Sequence, residues 1–425
     1  MGKIIVHGGN KLSGEIQVQG AKNAVLPILA SCVLVDGEIT LHNVPRITDT
    51  FLSIDILKNL GASVNFNGNT LIIDSSRIKS LPVPEEQVSK MRSSIIFMGS
   101  LLSRFKEVRI NYPGGCKLGA RAIDMHIKGI QNLGGVFEDN SEQLICKAKN
   151  LVGTRIDLDF PSVGATQNII LASVYAHGMT TITNAAAEPE IVDMVNFLNK
   201  CGADIRGAGT DVVTIMGGRK LVGASYNIMP DRIVAGTYIA AAAVTKGNIR
   251  LRGINEEDMR PITQVFRQMG MDIKVIDNDM YIRSPKKLRP VTVKTMPHPG
   301  FPTDMQPQLM TALSLADGVS ILEETIFEAR DMHVAELNRM GAKILTQPDR
   351  QKFIITGVDE LVPSSVVGKD LRGGAALVLA GLSAKGSTPV FGTEHIERGY
   401  EDIVHDLSVV CGVLNRDDYL EEEIA

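Results

Sequence analysis

Six stretches of the chain are apolar on nearly every face that a helix would present. They are NAVLPILASCVL (23–34), SSIIFMGSLL (93–102), TQNIILASVYA (166–176), VAGTYIAAAAV (234–244), MQPQLMTALSLA (305–316) and GAALVLAGLSA (374–384). A helix without a polar face belongs inside a protein. Each run leads to a marker residue: Gly37, Lys106, Gly178, Gly247, Gly318 and Gly386, spaced by 69, 72, 69, 71 and 68 residues. After each marker comes a short alternating segment such as Glu38–His42, which predicts a strand. A turn follows, then an amphipathic helix such as 191–199, then "GA" or its equivalent and another strand. DGEITLHNVPRITDTFLSIDILKNLGASVNF and HGMTTITNAAAEPEIVDMVNFLNKCGADIRG are two such units, and KGSTPVFGTEHIERGYEDIVHDLSVVCGV is a truncated sixth. The period of about 70 exceeds that of ordinary solenoids, roughly 20–50 residues. Each unit is large enough for a βαβ-type module with its own crossover helix. The pattern predicts an α/β (α+β) protein of six repeats, with six helices inside and sheets outside.

The polar residues at the heads of the buried helices repeat as well. Lys22, Arg92, Gly164, Arg232, Asp304 and Arg372 are spaced by 70, 72, 68, 72 and 68. One polar residue at a helix start reads as a cap. Four basic residues at equivalent starts are different, because a helix N-terminus already carries positive partial charge. They are tolerable where an anion sits among them, so phosphate and carboxylate binding is the natural reading. A second set, Arg46, Arg121, Glu190, Asp258, Arg330 and Arg398, lies in the turns after the next strands. With pseudo-symmetric packing both sets would face one cleft.

Composition narrows the function. The 425 residues suggest two or three domains. Lys plus Arg is 44 against 48 Asp plus Glu, for a net charge of −4, which argues against a nucleic-acid partner. Cys32, Cys116, Cys146, Cys201 and Cys411 form no CxxC pair, so neither a disulfide framework nor a Cys-rich zinc site is expected. No nicotinamide or flavin fingerprint and no metal-ligand cluster is present, so the expectation is no cofactor and no metal. MGKIIVH lacks the apolar core of a signal peptide, and the most apolar run, 233–244, is too short to span a bilayer. The expectation is a cytoplasmic protein without membrane insertion.

Several segments resemble the enolpyruvyl transferase family, and within it the branch whose acceptor is UDP-N-acetylglucosamine. They are LSGEIQVQGAKNAVLP, YPGGCKLGARAIDMHI, SVGAT, NAAAEPEIVD, MPDRIVAGTY, HPGFPTDMQPQ, MHVAELNRMGA, DLRGGAALVLAGL and HIERGYED. The resemblance runs essentially end to end. Gly114, Gly115 and Cys116, followed by Gly119 and Arg121, are its most specific part. It implies a two-domain inside-out barrel of six βαβαββ-type repeats. One domain would span 22–229, and the other would combine 1–21 with 230–425. The active site would lie between them and close on substrate.

The implied reaction moves the enolpyruvyl group of phosphoenolpyruvate to the 3-hydroxyl of UDP-N-acetylglucosamine with release of phosphate, the first committed step of peptidoglycan synthesis. Lys22, Asn23, Arg121, Arg372 and Arg398 match positions that hold phosphoenolpyruvate. Arg92, the run Arg121, Ala122, Ile123, Asp124 and Met125, the run Ser162, Val163 and Gly164, and Asp304 and Ile326 match positions that hold the UDP-sugar. Lys22, Cys116, Asp304 and Arg398 are the catalytic set. Asp304 reads as the base by resemblance and as a helix cap by local sequence alone. Cys116 follows two glycines and lies near Lys117 and Arg121, cations that lower a thiol's pKa from about 8.5. The resemblance implies that it protonates C3, and that it forms a covalent adduct with phosphoenolpyruvate. The flanking glycines suggest a mobile lid. His126 and His395 fall inside matching motifs, with a direct role for His126 left open. The other cysteines read as core.

Ala122 stands where the family usually has proline, Phe160-Pro161 where some members have lysine, and Ala329 and Asp331 interrupt the common ENRFMH. Two rivals share the fold: a transferase using shikimate 3-phosphate, and a catalytically silent nucleotide-sugar-binding regulator. The cysteine loop weighs against the first and the retained charges against the second. An RNA-processing enzyme with related repeats is remoter, given the lack of a basic excess. The resemblance also implies sensitivity to the epoxide antibiotic fosfomycin. Incubation with the epoxide is expected to add one covalent mass to a peptide containing Cys116 and abolish activity; an unmodified Cys116 with full activity would overturn this.

Overall fold

The computed structural model describes residues 2–112, 123–138, 143–349, 351–410 and the backbone of 413–417. The chain divides into two compact units, one of residues 20–112 with 123–229 and the other of residues 2–19 with 230–417. They are called here the 20–229 unit and the terminal unit. The six apolar runs form inner helices, labelled α1 (Lys22–Ser31), α2 (Phe97–Phe105), α3 (Val163–Ser173), α4 (Arg232–Thr245), α5 (Gln306–Leu313) and α6 (Leu371–Ser383). Two of them are preceded by 3-10 turns, Arg92–Ile96 before α2 and Thr303–Met305 before α5. Every residue of α4 is buried.

In the 20–229 unit, α1, α2 and α3 pack within one apolar core. Gly99 lets α2 approach α3: a Cβ there would stand 2.3 Å from the Asn168 carbonyl oxygen. One sheet has the order Ser225–Asn227, Glu38–His42, Thr70–Asp74, Ser63–Asn67, with the first pair parallel and the others antiparallel. A second, Arg155–Asp157, Met179–Thr183, Val212–Met216, Asp204–Arg206, repeats that arrangement. The third has three strands among the described residues, Glu107–Asn111, Gln143–Lys147 and Val136–Glu138. Strand faces alternate as the sequence pattern requires; Ile39 and Leu41 point into the core while Glu38 is exposed.

The terminal unit encloses α4, α5 and α6 in a second core. Its sheets reuse the same plan. Ser13–Gln17 lies parallel to Asn248–Arg252 as the edge of one, and Thr292–Lys294 lies parallel to Val319–Glu323 in another. In the last, Lys3–Gly8 is inserted antiparallel between Gly386–Phe391 and Val413–Asp417. The sixth repeat, truncated in sequence, is thus completed by the first strand of the chain.

The repeat markers have a backbone cause. Gly37, Lys106, Gly178, Gly318 and Gly386 all have positive φ where an inner run gives way to a strand, and in the fourth repeat Lys246 takes that conformation one residue before Gly247. Among the described residues no helix is long and apolar enough to cross a membrane.

Gly99→Ala is expected to destabilise the 20–229 unit by roughly 1–3 kcal/mol through overpacking against α3. The melting temperature should fall by several degrees; an unchanged melting curve would show that α2 and α3 have room to part.

Candidate active site

In the 20–229 unit the expected residues gather at the heads of the inner helices. Lys22 opens α1, and its ammonium lies 2.9 Å from the Asp49 carboxylate, which is buried. Asp49 stands in the first turn of helix Thr48–Asn59. Asn23 follows Lys22, half-buried. Arg92 begins the turn before α2, and burial lowers its guanidinium pKa. Ser162 caps α3 by accepting from the Ala165 N–H at 3.4 Å, with Val163 and Gly164 in the first turn. Ile123 and Met125 are half-buried around Asp124, which is exposed at the start of helix Asp124–Asn132.

His126 links these pieces. Asn168 Oδ1 accepts from the Gly99 N–H at 2.6 Å, so its amide nitrogen is the atom facing the Ile95 carbonyl and His126 Nδ1, each at 2.9 Å. Nδ1 therefore accepts, and the neutral ring carries its proton on Nε2. That edge of the ring faces Gly164, where a Cβ would stand 3.1 Å from Cε1 and 3.2 Å from Nε2. Burial first, and then Arg92, push the imidazole pKa down from 6.5 to about 4, with Asp124 opposing. Arg92, Asp124, His126 and Gly164 thus lie close together.

The terminal unit holds a second group. Asp304 does not act mainly as a helix cap: its two oxygens accept from Arg330 Nη2 at 3.0 Å and Arg372 Nη2 at 3.1 Å. Asp370 caps α6 instead, accepting from the N–H groups of Arg372 and Gly373 at 3.0 and 2.9 Å. Asp231 caps α4 in the same way. Burial works against the charge on Arg372, but Asp304, Tyr400 and Asp231 outweigh it and hold its pKa above the ordinary range. The guanidinium stands 5.7 Å from the centre of the Tyr400 ring. Glu324, fully buried, accepts from Thr295, Thr303 and the N–H groups of Ile326 and Phe327. It shapes the segment carrying Ile326. Arg398 is half-buried in a segment pinned by Gln19, whose amide bonds the Gly399 carbonyl and the Glu401 N–H at 3.1 and 2.8 Å.

Cys116, Arg121 and Ala122 lie outside the described residues. The members of the second periodic set have different local surroundings. Arg330 joins Asp304, whereas Arg46 is exposed and lies over the rings of Phe51 and Phe66 at 5.5 and 4.6 Å. Glu190 is buried in the first turn of helix Pro189–Lys200. Phe160 is exposed before α3, Ala329 and Asp331 are half-buried, and Cys32, Cys146 and Cys201 are buried as expected. Asp49, Asn168, Glu324 and Gln19 were not singled out by sequence reading, and for each the partner lies in another element.

His126 makes stability depend on pH. The folded ring stays neutral down to about pH 4, while the unfolded chain takes up the proton near 6.5. The unfolded state binds more protons in that window, so stability falls as pH falls through it, by about 3 kcal/mol at the limit. His126→Gln is expected to flatten this dependence between pH 6.5 and 4.5 in urea melts; parallel slopes in both proteins would contradict it.

Comparison with known proteins gives the family. Residues 6–407 match the sequence profile of the family described as EPSP synthase (3-phosphoshikimate 1-carboxyvinyltransferase). The UDP-N-acetylglucosamine 1-carboxyvinyltransferase 2 of Caldanaerobacter subterraneus is 46% identical over 413 residues, covering 96% of this chain and 98% of that protein. The UDP-N-acetylglucosamine 1-carboxyvinyltransferase 1 of Clostridium acetobutylicum is 45% identical over 98% of this chain and all of that protein. Among solved structures, the enolpyruvyl transferase NikO from Streptomyces tendae superposes with a TM-score of 0.89 at 25% identity, covering 98% of this chain and 99% of that one. EPSP synthase from Acinetobacter baumannii, at 19% identity and a TM-score of 0.77, shares the fold over 98% of this chain and all of that one. With two units built on one repeat plan, and with this degree of identity from end to end, the chain belongs to the EPSP synthase family of enolpyruvyl transferases, and within it to the UDP-N-acetylglucosamine 1-carboxyvinyltransferases.

Proposed function

We propose that this chain transfers the enolpyruvyl group of phosphoenolpyruvate to the 3-hydroxyl of UDP-N-acetylglucosamine, releasing phosphate, as the first committed step of peptidoglycan synthesis in the cytoplasm. The observation that carries this reading is the cluster of Asp304, Arg330 and Arg372. It sets a carboxylate able to take a proton beside a buried arginine whose Nε and Nη1 have no hydrogen-bond acceptor. Buried donors of that kind are costly unless an acceptor arrives. The carboxylate and phosphate of phosphoenolpyruvate are such acceptors. The identity of the acceptor sugar rests on relatives that carry its name.

In this reading both units serve one reaction. Lys22, Arg121, Arg372 and Arg398 neutralise phosphoenolpyruvate, and Asn23 helps hold it. Arg92, 121–125, 162–164, Asp304 and Ile326 hold the UDP-sugar. The Ile326 N–H is engaged by Glu324, so this residue offers its carbonyl. The hydroxyl oxygen bonds to C2 of phosphoenolpyruvate as its proton passes to Asp304, and C3 takes a proton from Cys116. Cys116 then takes a proton back from C3, the double bond reforms, and phosphate leaves with the C2–O bonding pair, receiving the proton that Asp304 had taken. Nearby cations stabilise the charge that develops on the leaving oxygens. No redox step occurs.

The test is phosphate release from phosphoenolpyruvate by purified protein, with UDP-N-acetylglucosamine or shikimate 3-phosphate as acceptor. Release only with the UDP-sugar is expected. Asp304→Ala should lower kcat by about 10²–10⁴-fold, the usual contribution of a positioned base, and Cys116→Ser should separate proton transfer from adduct formation. Release only with shikimate 3-phosphate would overturn the acceptor, and binding of the UDP-sugar without release under either condition would favour a regulator.

A further inference from the structure

The two arginines that hold Asp304 are not equivalent. Arg330 is tied down on several sides. Its Nη1 donates to Thr303 Oγ1 at 2.8 Å, that hydroxyl donates to buried Glu324 at 2.8 Å, and the Arg330 carbonyl accepts from Gln306 at 3.2 Å. Its guanidinium also lies 5.0 Å from the centre of the Phe327 ring. Arg372 is buried as deeply, with side-chain exposures of 3% for Arg330 and 2% for Arg372. Each keeps buried donors without an acceptor, Nε alone on Arg330 but Nε and Nη1 on Arg372, whose other neighbour is the Tyr400 ring. Arg330 is the more firmly fixed guanidinium, and Arg372 has more donors in reserve.

A carboxylate gripped by two buried guanidiniums is a poor base. An opposite charge within about 4–6 Å favours the ionised carboxylate by about 1–3 pH units. Taken alone, the arrangement is the wrong one for removing a proton from a sugar hydroxyl. It becomes the right one when an anion reaches Arg372. The anion takes up the reserved donors, weakens the hold on Asp304, and adds a negative charge nearby. Each effect raises the proton affinity of Asp304.

We propose that Arg330 is a positioning residue that keeps Asp304 ionised and in place, and that the anionic substrate, by engaging Arg372, switches Asp304 from a clamped anion into a base. This rests on the reading of Asp304 as the proton acceptor. When the switch operates, the hydroxyl O–H bond breaks with its proton passing to a carboxylate oxygen, while the oxygen lone pair forms the bond to C2. The base is then strong only when the group it must act with is already bound. Among the described residues, other titratable groups of the unit around the cluster include Glu324 beside Thr303, Tyr400 and Asp231 near Arg372, and Asp331, His333 and Asp370 next to one another beyond Arg330. They enter every variant below equally.

The test is a direct titration of Asp304 in the full chain, by carbon-13 NMR of labelled aspartate carboxyls, with Asp304→Asn assigning the signal. Arg330→Gln is expected to raise the titration midpoint by about one pH unit or more, whereas Arg330→Lys, which keeps the charge, should restore most of the wild-type value. Inorganic phosphate, added to saturation, is expected to raise the midpoint in wild type and to leave Arg372→Gln unmoved. The kcat profile for phosphate release should show its acidic limb displaced upward in Arg330→Gln, a change that loss of packing alone would not produce. An Asp304 midpoint that ignores both Arg330→Gln and phosphate would overturn the proposal. Should Arg330→Gln unfold, the response of the midpoint to phosphate in wild type against Arg372→Gln decides the proposal by itself. Full activity in Asp304→Asn would instead overturn the base reading itself, and wild-type protein without phosphate release would overturn the reaction, so the three failures are distinguishable.

Discussion

A helix with no polar face must be enclosed on all sides, and six such helices dictate the rest of this molecule. Three inner helices occupy each core, and the sheets of each unit cover them. With their sides sealed, the helices carry charged groups at their ends, while polar side chains along their length, such as Asn168, are tied up inside the core. The heads of the inner helices accordingly carry Lys22, Arg92, Ser162, Asp231, Arg232, Asp370 and Arg372. Charge is concentrated there because a sealed helix side has no water to solvate it.

That location sets an electrostatic problem. Cations at helix N-termini meet the positive end of the helix dipole and lose solvation as well. The protein answers it with carboxylates. Asp49 meets Lys22, Asp304 meets Arg372 and Arg330, and Asp231 and Asp370 cap the helices that bear the arginines. These heads are therefore held in internal ion pairs, and under the proposed reaction an anionic ligand would enter by exchange with carboxylates. Exchange costs less than filling a bare cationic pocket would, because the buried charges are never left wholly uncompensated.

Much of this was legible in the sequence, for physical reasons. The all-round apolar runs, the period of about 70 and the basic helix heads are local patterns that survive without three-dimensional knowledge. What sequence could not supply was partnership across distance. Asp49 sits in an ordinary amphipathic helix, Glu324 follows a strand, and Gln19 ends a loop; only folding brings them to Lys22, Thr303 and the Gly399 segment. The surroundings of Arg46 were hidden for the same reason, since its place in the repeat matches Arg330 while its side chain lies over Phe51 and Phe66. Asp304 looked like a cap until its two arginines were in view.

The sixth sheet closes on Lys3–Gly8, whose partner strand begins at Gly386. A ribosome adding about 5–20 residues per second makes the first strand tens of seconds before the strand that will hold it. During that interval the 20–229 unit is synthesised in full, with every strand of its sheets drawn from its own span. The alternating apolar face of Lys3–Gly8, with Ile4 and Val6 destined for the core, stays uncovered meanwhile. Vectorial synthesis thus gives the two units different histories: one can mature on the ribosome, and the other is completed only after nearly all of the chain has emerged.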